Sequence, residues 1–397
     1  MDNTNEHTPL KASSGIPAAE NNVHSNYRKI TGNLPTKIYF ASGIMLLVAI
    51  TAIAINPRLN EDSLMSIYPM EGKKLHKKCK ANPNYSKETL KTAYEMPFAA
   101  LFEDTRGEKR FEASSVTNVN GTFYAICDNS WSISKFASSL AAFSEQNTMI
   151  GDPNREDEDS GYEAIFHHSD VFYVIRESVK HTNETEGESC YHAIIEELIV
   201  NPDGDDYKIK DQCRCEYEFE GDSKGFEGGF GMEGVDGNFY VFGLCEGNFC
   251  SEEFKFDKGN GKVILMKKNE TKCLWETVKT IDIPSTANFR DYSDISIRPN
   301  GKVAITTQED SALWLGQMVG VQDGKVDPEI ISFDDDVHEI YYFPKADTCD
   351  TVYCNVEGIT FINDEMLMAV SDKMKSKGRQ PFQCLEKDQS IHAFVLP

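Results

Sequence analysis

The chain lacks paired C-x-x-C units, a legible Ser-His-Asp order and a glycine-rich phosphate loop ahead of a helix. The first absence excludes a zinc ribbon or finger, because no histidine stands where a further ligand is needed. The others remove the usual sequence grounds for a serine hydrolase or a P-loop enzyme; GNG at 259–261 is not followed by the pattern such a loop requires. Bases are scarce: 40 Lys and Arg face 64 Asp and Glu, a formal charge of -24. That imbalance argues against a nucleic-acid partner and for cations or basic surfaces. Helical periodicity is missing too, which excludes helical solenoids.

What is present begins with one apolar run. IYFASGIMLLVAITAIAI, residues 38–55, carries no charge over 18 residues. As a helix it reaches about 27 Å, enough for a bilayer core of roughly 30 Å. It reads as a retained signal anchor, since a 37-residue polar leader is unusual before a cleaved signal peptide. Residues 1–37 are polar, without hydrophobic periodicity, and are expected to be a disordered cytoplasmic tail. Residues 56–90, with KKLHKKCK, read as a solvated stem, and 91–397 as the folded domain.

Flanking charge does not orient the span: Arg28, Lys29 and Lys37 balance Arg58, Lys73 and Lys74. All eleven cysteines and all four Asn-x-Ser/Thr sequons, at Asn84, Asn120, Asn183 and Asn269, follow it. Both belong to an oxidising, glycosylating compartment. The expected arrangement is a single-pass type II membrane protein with its domain in the secretory lumen or outside the cell.

Beyond the stem, one sentence is written five times. It runs FEASSVTNVNGTFYAICDNS from Phe111, YEAIFHHSDVFYVIRES from Tyr162, FEGGFGMEGVDGNFYVFGLCEGN from Phe226, YSDISIRPNGKVAITTQEDS from Tyr292 and VEGITFINDEMLMAVSD from Val356. The starts lie 51, 64, 66 and 64 residues apart. Each unit has two clear strands and room for two more, the requirement of a four-stranded propeller blade. SWSISKF, KVILMKK and ALWLGQM supply third strands; CLWETVKTIDIP and EIISFDD supply outer ones. The chain ends after SIHAFVLP with the last unit one strand short, and YEMPFAALF at 94–102 is the natural strand to complete it. The predicted fold is all-β, a five-bladed β-propeller behind one N-terminal transmembrane helix, with room for a sixth blade in the longer intervals.

Acids bound the inner strands of these units. Glu112, Glu163, Glu227, Asp294 and Glu357 open them, and Asp128, Glu177, Glu246, Glu309 and Asp372 close them. A propeller brings matching strand ends together at one channel mouth. Carboxylates gathered there cannot all stay ionised without a counter-charge. Calcium, which takes six to eight oxygen ligands, is the expected metal. The competing reading makes each acid an acceptor for backbone amides in a tight turn.

GFEGG at 225–229, NVEGI at 355–359, DSGYEAI at 159–165 and the strand endings AICDNS and AVSD resemble the esterase-like, phytase-type β-propeller family over residues 111–397. The resemblance implies a five- or six-bladed ring, acidic calcium sites at the channel mouth and, in some members, phosphomonoester hydrolysis. Such chemistry needs cations around the transferred group. Arg176, Lys224, Arg290 and Lys373 sit beside the repeat acids and are the candidates, their alternative being local ion pairs. His167 and His168 are expected in an exposed hairpin turn.

The cysteines indicate compartment. Cys245 with Cys250, and Cys349 with Cys354, are spaced to close small loops, while Cys213 and Cys215 are too near to pair with each other. Eleven is odd, and Cys79 in the stem is the candidate for a disulfide-linked dimer. Two functions fit: a membrane-tethered calcium-binding propeller that holds a ligand or protein at its mouth, or a calcium-dependent phosphoester hydrolase.

Overall fold

A computed structural model describes residues 87–397 apart from 154, 157, 183–188, 202–203, 222–223, 251–256, 347–348 and 374–386. The tail, the apolar span, the stem up to residue 86, Cys79, Asn84, Asn183 and Cys384 lie outside the described residues. Among the described residues no helix is long and apolar enough to cross a membrane.

The described chain is built of strands, with a single 3-10 turn at Phe98–Leu101. Strand β1 (Lys91–Pro97) comes first. A first meander follows: β2 (Ala113–Val119), β3 (Thr122–Cys127), β4 (Ser130–Ala137) and β5 (Thr148–Ile150). The second is β6 (Tyr162–His168), β7 (Val171–Thr182), β8 (Ser189–Val200) and β9 (Tyr207–Cys215). The third is β10 (Phe226–Gly234), β11 (Phe239–Cys245), β12 (Lys262–Asn269) and β13 (Leu274–Asp282). The fourth, β14 (Asp294–Ile297), β15 (Lys302–Thr307), β16 (Ala312–Val319) and β19 (Ser332–Tyr342), carries a ribbon of β17 (Val321–Gln322) and β18 (Lys325–Val326). The last has β20 (Val356–Phe361), β21 (Met366–Ser371) and β22 (Ser390–Val395).

Local chemistry explains these elements. Asn120 and Gly121 take positive φ between β2 and β3, the two-residue hairpin that Asn-Gly favours. The third strand β12 is apolar without alternation: Val263 to Met266 are all buried, because both faces are covered by neighbouring meanders. Outer strands such as β19, SFDDDVHEIYY, face water along much of their length.

The last meander is completed by β1, which pairs antiparallel with β22 from Lys91↔Val395 to Pro97↔Ser390. The sheet order β1-β22-β21-β20 therefore joins the two ends of the domain; the completing strand is Lys91–Pro97, which overlaps only the start of the expected 94–102 run, whose Phe98–Leu101 form the 3-10 turn. The first strands of successive meanders touch in a closed cycle: β2 on β6, β6 on β10, β10 on β14, β14 on β20, and β20 on β2. Five apolar clusters fill the gaps between meanders. Trp131 and Tyr162 meet between the first and second, Phe226 and Trp275 between the second and third, and Tyr292, Trp314 and Phe242 between the third and fourth. Phe343 and Phe394 join the fourth to the fifth, and Phe123 and Met368 close the fifth on the first. Meanders packed face to face around an axis form a β-propeller.

Two devices tie neighbours further. The outer strand β13 pairs in parallel with β9, and Cys213 of β9 is bridged to Cys273, the residue just before β13. The ribbon lays β18 in parallel on β10 at Glu233 and Gly234, merging the second and third meanders and the ribbon into one ten-stranded sheet. Cys245–Cys250 closes the small loop expected of it. Cys349 and Cys354 are both disulfide-bonded. Cys127, Cys190 and Cys215 are free.

Candidate functional site

The innermost strands all start at one mouth of the axis, and there the pairing with the next strand skips a residue. The skips fall between Ala113 and Ser115, Tyr162 and Ala164, Phe226 and Gly228, and Val356 and Gly358. Such bulges re-aim one side chain out of the ladder. The re-aimed residues are Ser114, Glu163, Glu227 and Glu357. On β14 pairing begins at Asp294, and Ser293 stands at the corresponding place, its N–H donating to Thr306 O at 2.9 Å.

This register corrects the expected phase of five opening acids. Three are in phase, and Ser114 and Ser293 complete the ring of oxygens. Glu112 lies two positions before the in-phase Ser114: its carbonyl accepts from Asp128 N–H, as those of Gly161, Gly225 and Asn355 accept from Glu177, Glu246 and Asp372. Phe111-Glu112 imitates the aromatic-Glu pairs of Tyr162-Glu163 and Phe226-Glu227, and so misleads a reader of the sequence. Aligning ASSV, YEAI, FEGG, YSDI and VEGI instead would have found both serines.

Asp294 sits one residue further along the axis and is 1% exposed. Its Oδ2 accepts from Ile359 N–H at 2.8 Å and Ser115 O–H at 3.3 Å, and its Oδ1 from Ile295 N–H at 2.8 Å. Burial pushes its carboxyl well up, opposed by these bonds and by one from Gly229 N–H. A carboxylate fed by β20, β2, β10 and its own strand is a floor across the channel. For this acid the backbone-acceptor role describes the contacts.

Seven of the ten predicted acids gather above that floor. Burial, then the charges of Glu227, Glu177, Asp128 and Glu357, push the Glu163 carboxyl far above the carboxylate range. Burial, then Asp372, Glu112 and Glu177, push Asp128 to about 8. Single oxygens of Glu112, Asp128 and Asp372 all lie within 4.8 Å of one another. Glu246 and Glu309 stand apart. Glu246 is held by Lys224 at 3.1 Å, and Glu309 is exposed with Arg290 at 3.7 Å; Gln308 occupies the position that corresponds to Asp372.

Three buried oxygens at this mouth have no hydrogen-bond partner: Ser114 Oγ, Asp128 Oδ1 and Asn355 Oδ1. Buried acceptors are normally satisfied, so such a set calls for a ligand that supplies positive charge. A hard cation meets that need with carboxylate, hydroxyl and amide oxygens. Asn355 was not anticipated from the sequence, where it is one asparagine among many before a strand.

The predicted cations prove to be paired. Arg176 donates to Ser160 O at 3.0 Å, reaches Glu196 at 3.3 Å and lies over the Trp131 ring. Lys224 holds Glu246 and covers Phe249. Arg290 faces Glu309 and Asp310. Lys373 alone reaches the acid cluster, at 3.1 Å from Glu112, where Arg110 joins it at 3.0 Å. His167 and His168 are the last residues of β6 and not its turn, which is Ser169-Asp170. Asn120 is exposed at its hairpin, whereas Asn269 Nδ2 donates to Glu276 at 2.9 Å.

The fold and site thus define an acid-mouthed protein of the propeller class. No family model and no curated protein matches the chain. Among solved structures it is similar to the PQQ-bound aldose sugar dehydrogenase of Streptomyces coelicolor, at 9% identity and TM-score 0.41, over 77% of this chain and 98% of that one. It is also similar to virginiamycin B lyase from Staphylococcus aureus, at 9% identity and TM-score 0.36, over 77% of this chain and 99% of that one. The calcium-binding protein regucalcin from Agrobacterium tumefaciens matches at 9% identity and TM-score 0.36, over 75% of this chain and 92% of that one. At these identities and scores the likenesses assign neither activity nor ligand.

Proposed function

We propose that this chain is a membrane-anchored, five-bladed propeller that holds calcium at the acidic mouth of its channel and presents that mouth to a ligand or protein. The observation that carries the reading is the set of unpartnered buried oxygens, Ser114 Oγ, Asp128 Oδ1 and Asn355 Oδ1, beside carboxyls that burial and mutual repulsion drive toward protonation. A divalent cation would relieve both costs at once. Ser114, Glu163, Glu227, Ser293 and Glu357 would supply one donor from each innermost strand, with Asp128 and Asp372 above them. The disulfides support an extracytoplasmic domain. The span at 38–55 would tether it as a type II protein.

A second reading, hydrolysis of a phosphoester, is favoured by Asp128. A carboxyl raised to about 8 carries a proton at neutral pH and is suited to general acid-base work. Lys373 and Arg110, both paired with Glu112, would be the cations of the acid cluster available to a phosphate. Bound calcium would neutralise charge on the phosphoryl oxygens.

Calorimetric titration of the purified full-length chain with calcium tests the first reading. Glu227→Gln combined with Glu357→Gln is expected to weaken binding at least about tenfold, because two charged donors are lost, and to lower the calcium-dependent rise in melting temperature. Unchanged affinity would return the acids to turn acceptors. Phosphate release from para-nitrophenyl phosphate and pyrophosphate, with and without calcium, separates the two readings.

A further inference from the structure

The ring closes where the fifth meander meets the first. Two of the mouth acids lie on opposite sides of that seam: Glu112 just before β2 and Asp372 just after β21. Single oxygens of both lie within 4.8 Å of one another and of Asp128. One link across the seam is the Lys373 ammonium, 3.1 Å from Glu112 Oε1. Its side chain is 41% exposed, so the pair is weak and a metal cation seated on Glu112 would displace it.

Gln389, in the turn before β22, is a link of another kind. Its N–H donates to Asp372 O at 3.2 Å, and its Oε1 accepts from Phe111 N–H at 3.0 Å. One residue thus joins Asp372 to the neighbour of Glu112. Its own carbonyl accepts from Phe98 N–H at 2.8 Å, at the start of the 3-10 turn that follows β1. These bonds are neutral and use no carboxylate oxygen, so they persist when a cation enters.

Backbone conformation singles out the same residue. Gln389 has a φ of 45°, in the left-handed region where a side chain is costly and glycine is not. A turn alone would be best served by glycine. What glycine could not provide is the amide oxygen that reaches Phe111. Strain of this kind is held in place by surrounding contacts and gathers at functional sites.

We propose that Gln389 is a positioning residue for the cation site, setting the separation of Glu112 and Asp372 across the closing seam. The proposal rests on the reading of the acidic mouth as a calcium site. Gln389 touches no ion itself; it acts through the backbone on either side.

The test compares variants of the full-length chain by calcium calorimetry and by the luminescence lifetime of bound terbium, which counts the waters left on the ion. Gln389→Gly keeps both backbone bonds, relieves the positive φ and removes the bond to Phe111. It is expected to bind calcium about tenfold more weakly, the lower end of the effect of outer hydrogen-bond partners on metal sites. It should leave more water on terbium, while in chelator it melts within about 4 °C of the parent. Gln389→Met, similar in length without the acceptor, should lose as much affinity and decides the matter if the glycine variant fails to fold. Gln389→Glu restores an acceptor oxygen and should recover most of the loss. Glu95→Gln, on the closing strand but outside the mouth, should keep parental affinity. Parental affinity and hydration in Gln389→Gly and Gln389→Met, no recovery in Gln389→Glu, or an equal loss in Glu95→Gln would each overturn the positioning role and leave the calcium reading intact. A parent that binds no calcium would overturn that reading, and the positioning role with it.

Discussion

At the scale of single residues, the acidic mouth is governed by protonation. Asp128, raised to about 8 by burial, Asp372 and Glu112, binds a proton in the folded chain over a range where the unfolded chain has lost it. The folded state therefore binds more protons between about pH 4 and 8, and this contribution to stability fades as pH rises through that window. The metal-free chain is expected to melt progressively lower from pH 5 to pH 8.5, while saturating calcium flattens the profile by taking the proton's place. A thermal-melt series with calcium and with chelator reads both curves; parallel curves would dissociate Asp128 from the metal. Asp294 differs in kind from its neighbours. Its donors come from four strands, so it braces the axis at the height where the ring of oxygens begins.

At the scale of elements, the strand that closes the ring is held by more than its ladder. Glu95 of β1 lies directly across from His392 of β22, with Oε2 3.7 Å from Nδ1, longer than a hydrogen bond, and burial lowers the His392 pKa, which favours the neutral ring. Tyr353 O–H donates to the same carboxylate at 2.6 Å, and Lys387 contacts it. His392, Lys387 and Tyr353 hold the Glu95 carboxyl well below the usual range, against the opposing pull of burial. A depressed carboxyl stabilises the fold above its unfolded pKa of about 4.3, and the contribution is lost as pH falls through the folded value. Glu95→Gln should lower the melting temperature at pH 7, with a difference from the parent that shrinks in acid below pH 4. Equal melting at pH 7 would leave closure to the backbone ladder and to the apolar contacts of Phe98 and Leu101.

At the scale of the whole molecule, five apolar interfaces and the Cys213–Cys273 bridge between the second and third meanders help hold the ring. Cys213–Cys273 spans 60 residues and joins β9 to the residue just before β13, whereas Cys245–Cys250 spans 5. Chain-entropy reasoning gives the long bridge about 4 kcal/mol and the short one roughly half of that. Replacing both Cys213 and Cys273 by serine should therefore cost more stability in denaturant than the same change at Cys245 and Cys250. Equal losses would show that the parallel pairing of β9 with β13 already restrains the second and third meanders.

Much of this architecture is legible in the sequence, because strand alternation, turn residues and a repeated unit are local properties of the chain. The all-β class, the third strands KVILMKK and ALWLGQM, and the completion of the last meander by a segment overlapping 94–102 follow from apolar runs and from one missing strand. The gathering of Glu163, Glu227, Glu357, Asp128 and Asp372 follows from their matching places in the repeats. The rest was decided by register. A one-residue bulge changes which side chain faces the axis, and nothing local marks Ser114 and Ser293 as the partners of three glutamates or Phe111-Glu112 as an imitation. The floor at Asp294, the pairing of Arg176, Lys224 and Arg290, and the seam bridged by Gln389 depend on residues brought together from strands far apart in the chain, and only the closed ring sets those distances.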